Sequence, residues 1–247
     1  TEALEQIERS LATNRLDSKA LALQAALLRK TGRLKEAQQA AARIIEIDPL
    51  DFLARNELYL AQSKGNSPQA QETLTELRRL MRDEVQSYLE LATDYLGWGA
   101  RDEATDVLLR PAEGRMKFAS TYPLVHYYLG YLYEKSGDSE KAAHYYRRAS
   151  TMPPDYCFPF RLETERVLHA ALKAVPSDGK AHYYLGNLLY DLQPEKAISH
   201  WEKARELDPR FAMVYRNLGW GYYRSADNVA KAIEAYEQAI NLASHDP

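Results

Sequence analysis

Apolar residues in this chain recur three and four positions apart, and no segment alternates apolar and polar residues over the length of a strand. The first stretch is typical, because Leu4, Ile7 and Leu11 would fall on one face of a helix over residues 2–13. Glycine and proline interrupt the pattern at short intervals, where helices are expected to end. The sequence therefore predicts an all-α protein built from short helices.

One spacing returns along the chain and is clearest around Leu129-Gly130. Ala142 follows Gly130 by twelve residues, Tyr146 comes four residues later, and Pro154 closes the unit. The frame recurs twice more, with Leu185-Gly186, Ala197 and Trp201, and with Leu218-Gly219, Ala232 and Tyr236. We interpret each unit as a helix pair, in which the glycine lets the second helix approach closely and the proline ends that helix.

This spacing resembles the tetratricopeptide repeat, a helix–turn–helix unit with a period of about 34 residues. The resemblance implies a right-handed α-solenoid in which stacked helix pairs build a curved binding surface. It covers nearly the whole chain and is most specific from residue 123 onward. We predict a single domain over 1–247, with repeats at about 18–49, 51–82, 85–111, 123–154, 179–209 and 212–244 after the helix at 2–13.

Two places depart from the period. Pro111 is expected to end the second helix of the third repeat early and to leave 111–120 as a loop. Farther on, Leu129-Gly130 and Leu185-Gly186 lie 56 residues apart, which leaves room for an insertion over 155–176 with one unpaired helix. We predict that the loop from Tyr156 to Arg161 folds against the concave face, where a carboxylate or backbone carbonyls hold Arg161.

Composition excludes several classes of partner and compartment. The 247 residues carry a formal net charge of −3, which gives no reason to expect binding to nucleic acid or to an acidic membrane surface. No apolar run is long enough for a membrane span, and Cys157 as the single cysteine cannot form an internal disulfide. We expect a soluble protein, with the cytoplasm as the favoured compartment. Because the chain starts at Thr1, we interpret it as a piece of a longer or processed protein.

The sequence holds no catalytic arrangement. It lacks a Gly-rich phosphate loop, a nucleophile elbow, His-Glu-x-x-His and Cys-x-x-Cys. His126 and His182 occupy a packing position of the repeat, and Cys157 has no base near it in the sequence, so a buried thiol is the expected state. We therefore predict a protein that is not an enzyme, with no cofactor and no metal ligands.

The first helices of the last three repeats carry aromatic residues at positions that the repeat family directs to its concave face. With the loop residue Arg161, these positions predict a ligand-binding groove formed by Tyr127, Tyr131, Tyr183, Asn187, Tyr190, Arg216, Trp220 and Tyr223. The alternative is that the rings only fill a tightly wound solenoid. Asn187 also fits the carboxylate clamp of some tetratricopeptide domains, but Tyr183 stands where that clamp needs a basic residue.

A narrower resemblance rests on four segments, which run from Tyr156 to Glu163, from Ala181 to Asp191, from Ile198 to Glu202 and from Tyr215 to Gly219. These are similar to the tetratricopeptide tail of large bacterial proteins that also carry an uncharacterised β-rich domain, which implies a missing N-terminal portion and a link to carbohydrates. The first hypothesis is a non-catalytic scaffold that binds a protein or peptide segment, including another domain of its own chain, with self-association through exposed solenoid ends. The alternative is an accessory domain of a carbohydrate-active enzyme that packs on the catalytic domain or helps it bind sugar.

Overall fold

The computed structural model of the chain describes residues 2–82, 84–113, 122–225 and 227–243. Fourteen α-helices and no strand occupy these ranges, which confirms the all-α prediction. In chain order the helices are α1 Glu2–Thr13, α2 Ser18–Lys30, α3 Leu34–Ile47, α4 Phe52–Lys64, α5 Ala70–Met81, α6 Val85–Gly97, α7 Arg101–Glu113, α8 Pro123–Ser136, α9 Ser139–Thr151, α10 Glu163–Ala174, α11 Gly179–Leu189, α12 Pro194–Leu207, α13 Ala212–Arg224 and α14 Val229–Ala243.

The chain divides into two compact units, and the first comprises Thr1–Ala100. In it, α2 pairs with α3 and α4 pairs with α5, while α3 also packs on α4. The Asp17 and Asp51 side chains cap α2 and α4 by accepting from backbone N–H groups in their first turns. The start of each hairpin is therefore specified by residues next to it in the sequence.

A buried polar network joins three helices of this first unit. Arg29 Nε of α2 donates to Glu57 Oε2 of α4 at 2.7 Å, and the Tyr95 hydroxyl of α6 donates to Glu57 Oε1 at 2.7 Å. Asn56 Nδ2 in turn donates to the Tyr95 hydroxyl oxygen at 2.8 Å. Because charged groups are costly to bury unless they are paired and hydrogen-bonded, these contacts depend on one another.

The second unit comprises Arg101–Pro247 and contains three hairpins, α8 with α9, α11 with α12, and α13 with α14. Helix α7 packs on α8. Helix α10 has no hairpin partner and packs instead on α8 and α11, as expected for the inserted unpaired helix. The prediction of a single domain over 1–247 stays a prediction.

The third predicted repeat ends later than its proline indicated. Helix α7 continues to Glu113, two residues past the expected end at Pro111. Pro111 and Ala112 are both buried, while the proline lacks the N–H that would bond to the Val107 carbonyl and its ring crowds the same carbonyl. Packing therefore outweighs the local cost. The predicted loop at 111–120 lies, from residue 114 onward, outside the described residues.

Glycines allow aromatic rings of the second helices to lie directly on the first helices. A Cβ atom at Gly130 would come within 2.5 Å of the Tyr146 ring, and one at Gly219 within 2.9 Å of the Tyr236 ring. At Gly186 the neighbour is the Trp201 ring, which is closer still. The predicted close approach is confirmed, and its cause is a ring seated against the helix backbone.

Candidate functional site

A pocket of about 470 Å³ lies in the unit of residues 101–247. Helices α11 and α13 contribute five of its residues, the turn after α11 contributes two, α12 and α14 contribute one ring each, and the inserted loop forms a further wall. The lining consists of Phe158, Pro159, Tyr183, Asn187, Tyr190, Asp191, Trp201, Arg216, Asn217, Trp220 and Tyr236. The structure thus brings together five of the predicted groove residues, Tyr183, Asn187, Tyr190, Arg216 and Trp220.

Helical spacing explains the polar and aromatic wall from α11 and α13. Residues 183, 187 and 190 are separated by four and three positions, so they share one face of α11 and its C-terminal end. Arg216 and Trp220 are four positions apart on α13 and share a face in the same way. The rings of Trp201 and Tyr236 enter from the second helices because Gly186 and Gly219 leave room for them.

A hydrogen-bond network holds the polar side chains of the pocket. Asn187 Oδ1 accepts from Trp201 Nε1 at 3.0 Å and from Asn217 Nδ2 at 2.8 Å. Asn217 Oδ1 accepts from Arg216, with Nε at 3.4 Å and Nη2 at 3.3 Å. Both amide oxygens are therefore occupied by donors of the protein itself, and the orientation of both amides follows from these bonds.

Tyr183 of α11 and Tyr190, which caps the C-terminal end of that helix, differ in burial and in the contacts of their rings. Burial raises the pKa of Tyr183, whereas the neighbouring Asn187 amide acts in the opposite direction, and the ring lies 4.8 Å from the Phe211 ring. The Tyr190 ring lies 5.2 Å from the Trp201 ring, and its hydroxyl is 3.2 Å from Ser225 Oγ. Tyr183 is buried, whereas Tyr190 is half-buried, so a ligand could reach more of the Tyr190 ring than of the Tyr183 ring.

The remaining aromatic predictions on α13 and α8 lie at different exposures. The Trp220 side chain lines the pocket and is 48% exposed, with the Arg224 guanidinium carbon 5.6 Å from its ring centroid. Tyr223 is also exposed but is not part of the pocket lining. Tyr131 is half-buried beneath Lys135 Nζ, which lies 5.0 Å from its ring centroid, and it does not line the pocket either.

The prediction that Tyr127 lines a ligand groove is wrong. Its side chain is completely buried, and its hydroxyl donates to Asp178 Oδ2 at 2.8 Å. Asp178 Oδ1 simultaneously accepts from the Ala181 backbone N–H at 3.0 Å and so caps α11. The repeat register directs Tyr127 to an open face only if consecutive hairpins stack directly. Here the insertion intervenes, and Tyr127 becomes part of the core between α8 and the start of α11.

Cys157 and Pro159 of the inserted loop are buried, whereas Tyr156, Phe158 and Phe160 are exposed. Burial raises the pKa of the Cys157 thiol to about 11, so the side chain is a neutral thiol, as expected. Phe158 and Pro159 form a wall of the pocket, whereas Tyr156 is 88% exposed. Arg161 Cζ lies 5.1 Å from the Phe160 ring centroid and does not line the pocket. That a carboxylate or carbonyl holds Arg161 stays a prediction.

The family comparisons agree with the hairpin geometry. Family models described as the tetratricopeptide repeat match residues 123–152 and 188–247. The chain carries tetratricopeptide repeats. Repeats of this kind generally form non-catalytic scaffolds that present extended binding surfaces. The second match contains α12, α13 and α14, so much of the pocket is built from recognised repeat sequence.

Relatives of these repeats are distant. "Protein CTR9 homolog" of Arabidopsis thaliana is 25% identical over 234 residues, and the match covers 86% of this chain and 21% of that protein. The chain thus spans about a fifth of the length of this relative. YrrB, a tetratricopeptide protein of solved structure, is 18% identical with a TM-score of 0.32, covering 98% of this chain and 94% of its own. The 41-end fragment of MamA from Desulfovibrio magneticus RS-1 is 25% identical with a TM-score of 0.33, covering 66% and 97%.

Sequence reasoning missed part of the lining of this repeat pocket. Trp201 and Tyr236 occupy positions of the second helices that the repeat pattern assigns to packing, and Asn217 neighbours a predicted residue. The signal that could have found the two rings is the glycine that faces each of them. Because each glycine has no side chain, the ring from the second helix can cross over the first helix and contact the pocket.

Histidines of the repeats lie outside the pocket lining. His126 is buried, and its ring stacks at 5.9 Å on the Tyr145 ring, in agreement with the packing role that was predicted. His182 Nδ1 lies 2.9 Å from His200 Nδ1, which joins α11 to α12. Within the described residues, no three His, Cys, Asp or Glu side chains are grouped to hold a metal ion. In the same ranges, no helix has both the length and the apolar character that a bilayer crossing requires.

Proposed function

We propose that this chain is a non-catalytic scaffold module that holds a protein or peptide segment in the aromatic pocket of residues 101–247. The observation that carries the proposal is the pocket itself, in which rings of α11, α12, α13, α14 and the inserted loop surround a fixed amide network. Ligand sites are typically concave, mostly apolar and equipped with a few oriented polar groups. The segment belongs to another protein or to another part of the same protein.

The pocket is preorganised for binding. Asn187, Asn217 and Arg216 are held by one another before any ligand arrives, so binding does not have to order them. Trp220 is the large ring that the repeat helices expose most in the lining, at 48%, while Phe158 of the inserted loop is 61% exposed. Because buried Trp, Tyr and Arg side chains often carry most of the energy of an interface, Trp220 is the expected anchor.

The test is a solution screen of a peptide library against the wild type and Trp220→Ala. We expect the variant to lose about 2 kcal/mol of binding free energy, because truncating a central aromatic anchor typically costs that much. Its thermal midpoint should stay close to that of the wild type, since a ring that is 48% exposed contributes little to the core.

Tyr223→Ala is the matched control for this test. Tyr223 lies three positions along the same helix and is 55% exposed, but it does not line the pocket. It should bind like the wild type. If Tyr223→Ala weakens binding as much as Trp220→Ala, or if Trp220→Ala melts far lower and binds normally, the pocket is not the site.

A second candidate is an accessory role beside a carbohydrate-active domain. Exposed Trp220 next to Asn187, Asp191 and Arg216 offers a ring face together with hydrogen-bonding groups, and this combination also suits a sugar. An oligosaccharide array probed with the wild type and Trp220→Ala tests this candidate. Sugar binding that depends on Trp220, without peptide binding, would favour it over the peptide scaffold.

A further inference from the structure

We infer that the pocket takes its segment as a β-strand, which pairs with the backbone of the inserted loop at Phe158 and Phe160. This inference rests on the proposed function and adds the conformation and the side-chain pattern of the partner. Three features of the loop carry it: its extended form, the backbone groups of Phe158 and Phe160, and its position at the wall of the pocket.

The loop is extended between Cys157 and Arg161. Neither a helix nor a turn occupies these residues, and burial alternates along them, with Cys157 and Pro159 buried and Phe158 and Phe160 exposed. A period of two is typical of a β-strand, in which successive side chains point to opposite sides. Pro159 also disfavours a helical conformation at the residue before it. One side of the segment is therefore fixed against the protein, and the other side faces solvent.

The backbones of Phe158 and Phe160 are available for pairing. Among the residues that the structure describes, neither backbone makes a hydrogen bond through its N–H or its C=O group. Residues two positions apart in a strand direct these groups to the same edge, and such an edge is a template for a further strand. Pro159 lacks an N–H, but that group would point to the opposite edge. The edge at Phe158 and Phe160 therefore keeps two donors and two acceptors.

This edge adjoins the pocket. Phe158 and Pro159 belong to the pocket lining, whereas Phe160 lies outside it. In a two-stranded pair, side chains that lie opposite each other share one face, with their Cβ atoms about 4.5–5.5 Å apart. A partner side chain opposite Phe158 is therefore held beside the pocket, in which the Trp220 ring is exposed.

The surroundings of the edge suit an ordinary peptide with apolar side chains on one face. Arg216 and Asp191 both line the pocket and are exposed, so the lining offers donors and acceptors to a backbone that carries both. Phe158 is 61% and Phe160 is 62% exposed, and apolar partners would cover these rings. We therefore expect segments with large or β-branched apolar residues at every second position, as in a half-buried strand.

The experiment is a calorimetric titration of the whole chain with a synthetic peptide of about nine residues, near the upper end of the usual strand length. The peptide alternates valine or tyrosine with threonine, has blocked termini, and carries a lysine at each end to oppose its own aggregation. Two N-methylated versions are compared, one with methyl groups on central apolar residues and one with methyl groups on central threonines. Each version loses the N–H donors of one edge only, so we expect their affinities to differ at least about tenfold.

Phe160→Pro tests the loop side of the same hydrogen bonds. It removes an N–H group that has no partner in the described part of the chain. Phe160→Ala is the matched control, because it removes the ring but keeps the N–H, and position 160 lies outside the pocket lining in both variants. We expect Phe160→Pro to bind the unmethylated peptide about tenfold more weakly than Phe160→Ala does. Should Phe160→Pro fail to fold, the methylated peptides test the inference on the wild type.

The outcomes separate the inference from the proposed function. Equal binding of the two methylated peptides, or of the unmethylated peptide by folded Phe160→Pro and Phe160→Ala, would overturn the inference. The proposed function would still stand if peptide binding were lost in Trp220→Ala. Library members that bind through Trp220 while the alternating peptide does not bind would likewise overturn only the inference. If neither this peptide nor any library member shows binding that depends on Trp220, the inference and the proposed function both fail.

Discussion

At the residue scale, single glycines decide whether the three hairpins of residues 101–247 can close. The Tyr146 ring occupies the space that a side chain at position 130 would need, with 2.5 Å between its Cδ1 atom and an added Cβ. Gly130→Ala should therefore lower the free energy of unfolding by about 1–3 kcal/mol, as overpacked cores do. Gly97→Ala is the control, because nothing lies within 4 Å of an added Cβ there. Urea denaturation of both variants measures the difference, and equal effects would remove the proposed seating of the ring.

The histidine pair on α11 and α12 predicts a dependence of stability on pH. Burial lowers the pKa of His182 to about 4, and His200, Lys203 and His169 act in the same direction. Burial also lowers the pKa of His200, with His169 adding to the effect and Glu165 opposing it. Histidine in the unfolded chain has a pKa of about 6.5. Between that pH and about 4, the unfolded state therefore binds protons that the folded state does not.

Stability should therefore be fully present above about pH 6.5 and should fall as the pH drops toward 4. His182→Gln removes one of these groups, so its free energy of unfolding should decline less steeply across the same window. Urea denaturation at several pH values, with the variant subtracted from the wild type, isolates this contribution from the carboxylates. Parallel decline in both proteins would contradict the assigned state of His182.

At the scale of elements, Asp178 connects the helices on either side of the insertion. It caps α11 through the Ala181 N–H and accepts from the buried Tyr127 hydroxyl of α8. Asp178→Ala should cost about 2–4 kcal/mol, because it removes a helix cap and leaves a buried hydroxyl without its acceptor. Asp138 caps α9 in the same way but from an exposed site, so Asp138→Ala should cost only about 1 kcal/mol. Equal losses in chemical denaturation would show that the Tyr127 contact contributes nothing.

At the scale of the whole molecule, the two units differ in the contacts between their helices. The unit of residues 1–100 contains the buried Arg29–Glu57 ion pair, whereas the unit of residues 101–247 contains aromatic rings packed on glycines. Glu57→Ala should lower stability by about 3–5 kcal/mol, because it breaks the buried ion pair with Arg29 and removes the acceptor of the buried Tyr95 hydroxyl. Glu76→Ala, which breaks an exposed pair with Arg79, should cost less than about 1 kcal/mol. Calorimetric melts distinguish the two, and a Glu57→Ala midpoint equal to that of Glu76→Ala would contradict the buried network.

The features that the sequence determined are those that depend on neighbours within one helix or one hairpin. The helical period indicates the all-α fold, and the glycine–ring pairs indicate where the helices of each hairpin touch. Same-face spacing on α11 and α13 is also local, which is why Tyr183, Asn187, Arg216 and Trp220 could be placed together. Short turns leave two paired helices few ways to pack, so local patterns suffice for these features.

What covers each surface of a helix depends on contacts between segments that are distant in the chain. Tyr127 follows the same positional rule as Tyr183, yet it is sealed against Asp178 because the insertion changes what packs on α8. The seating of Trp201 and Tyr236 in the pocket, and of Phe158 beside them, depends on contacts between segments far apart in the chain. A residue's burial is set by the elements that meet above it, and the sequence around that residue carries no record of them.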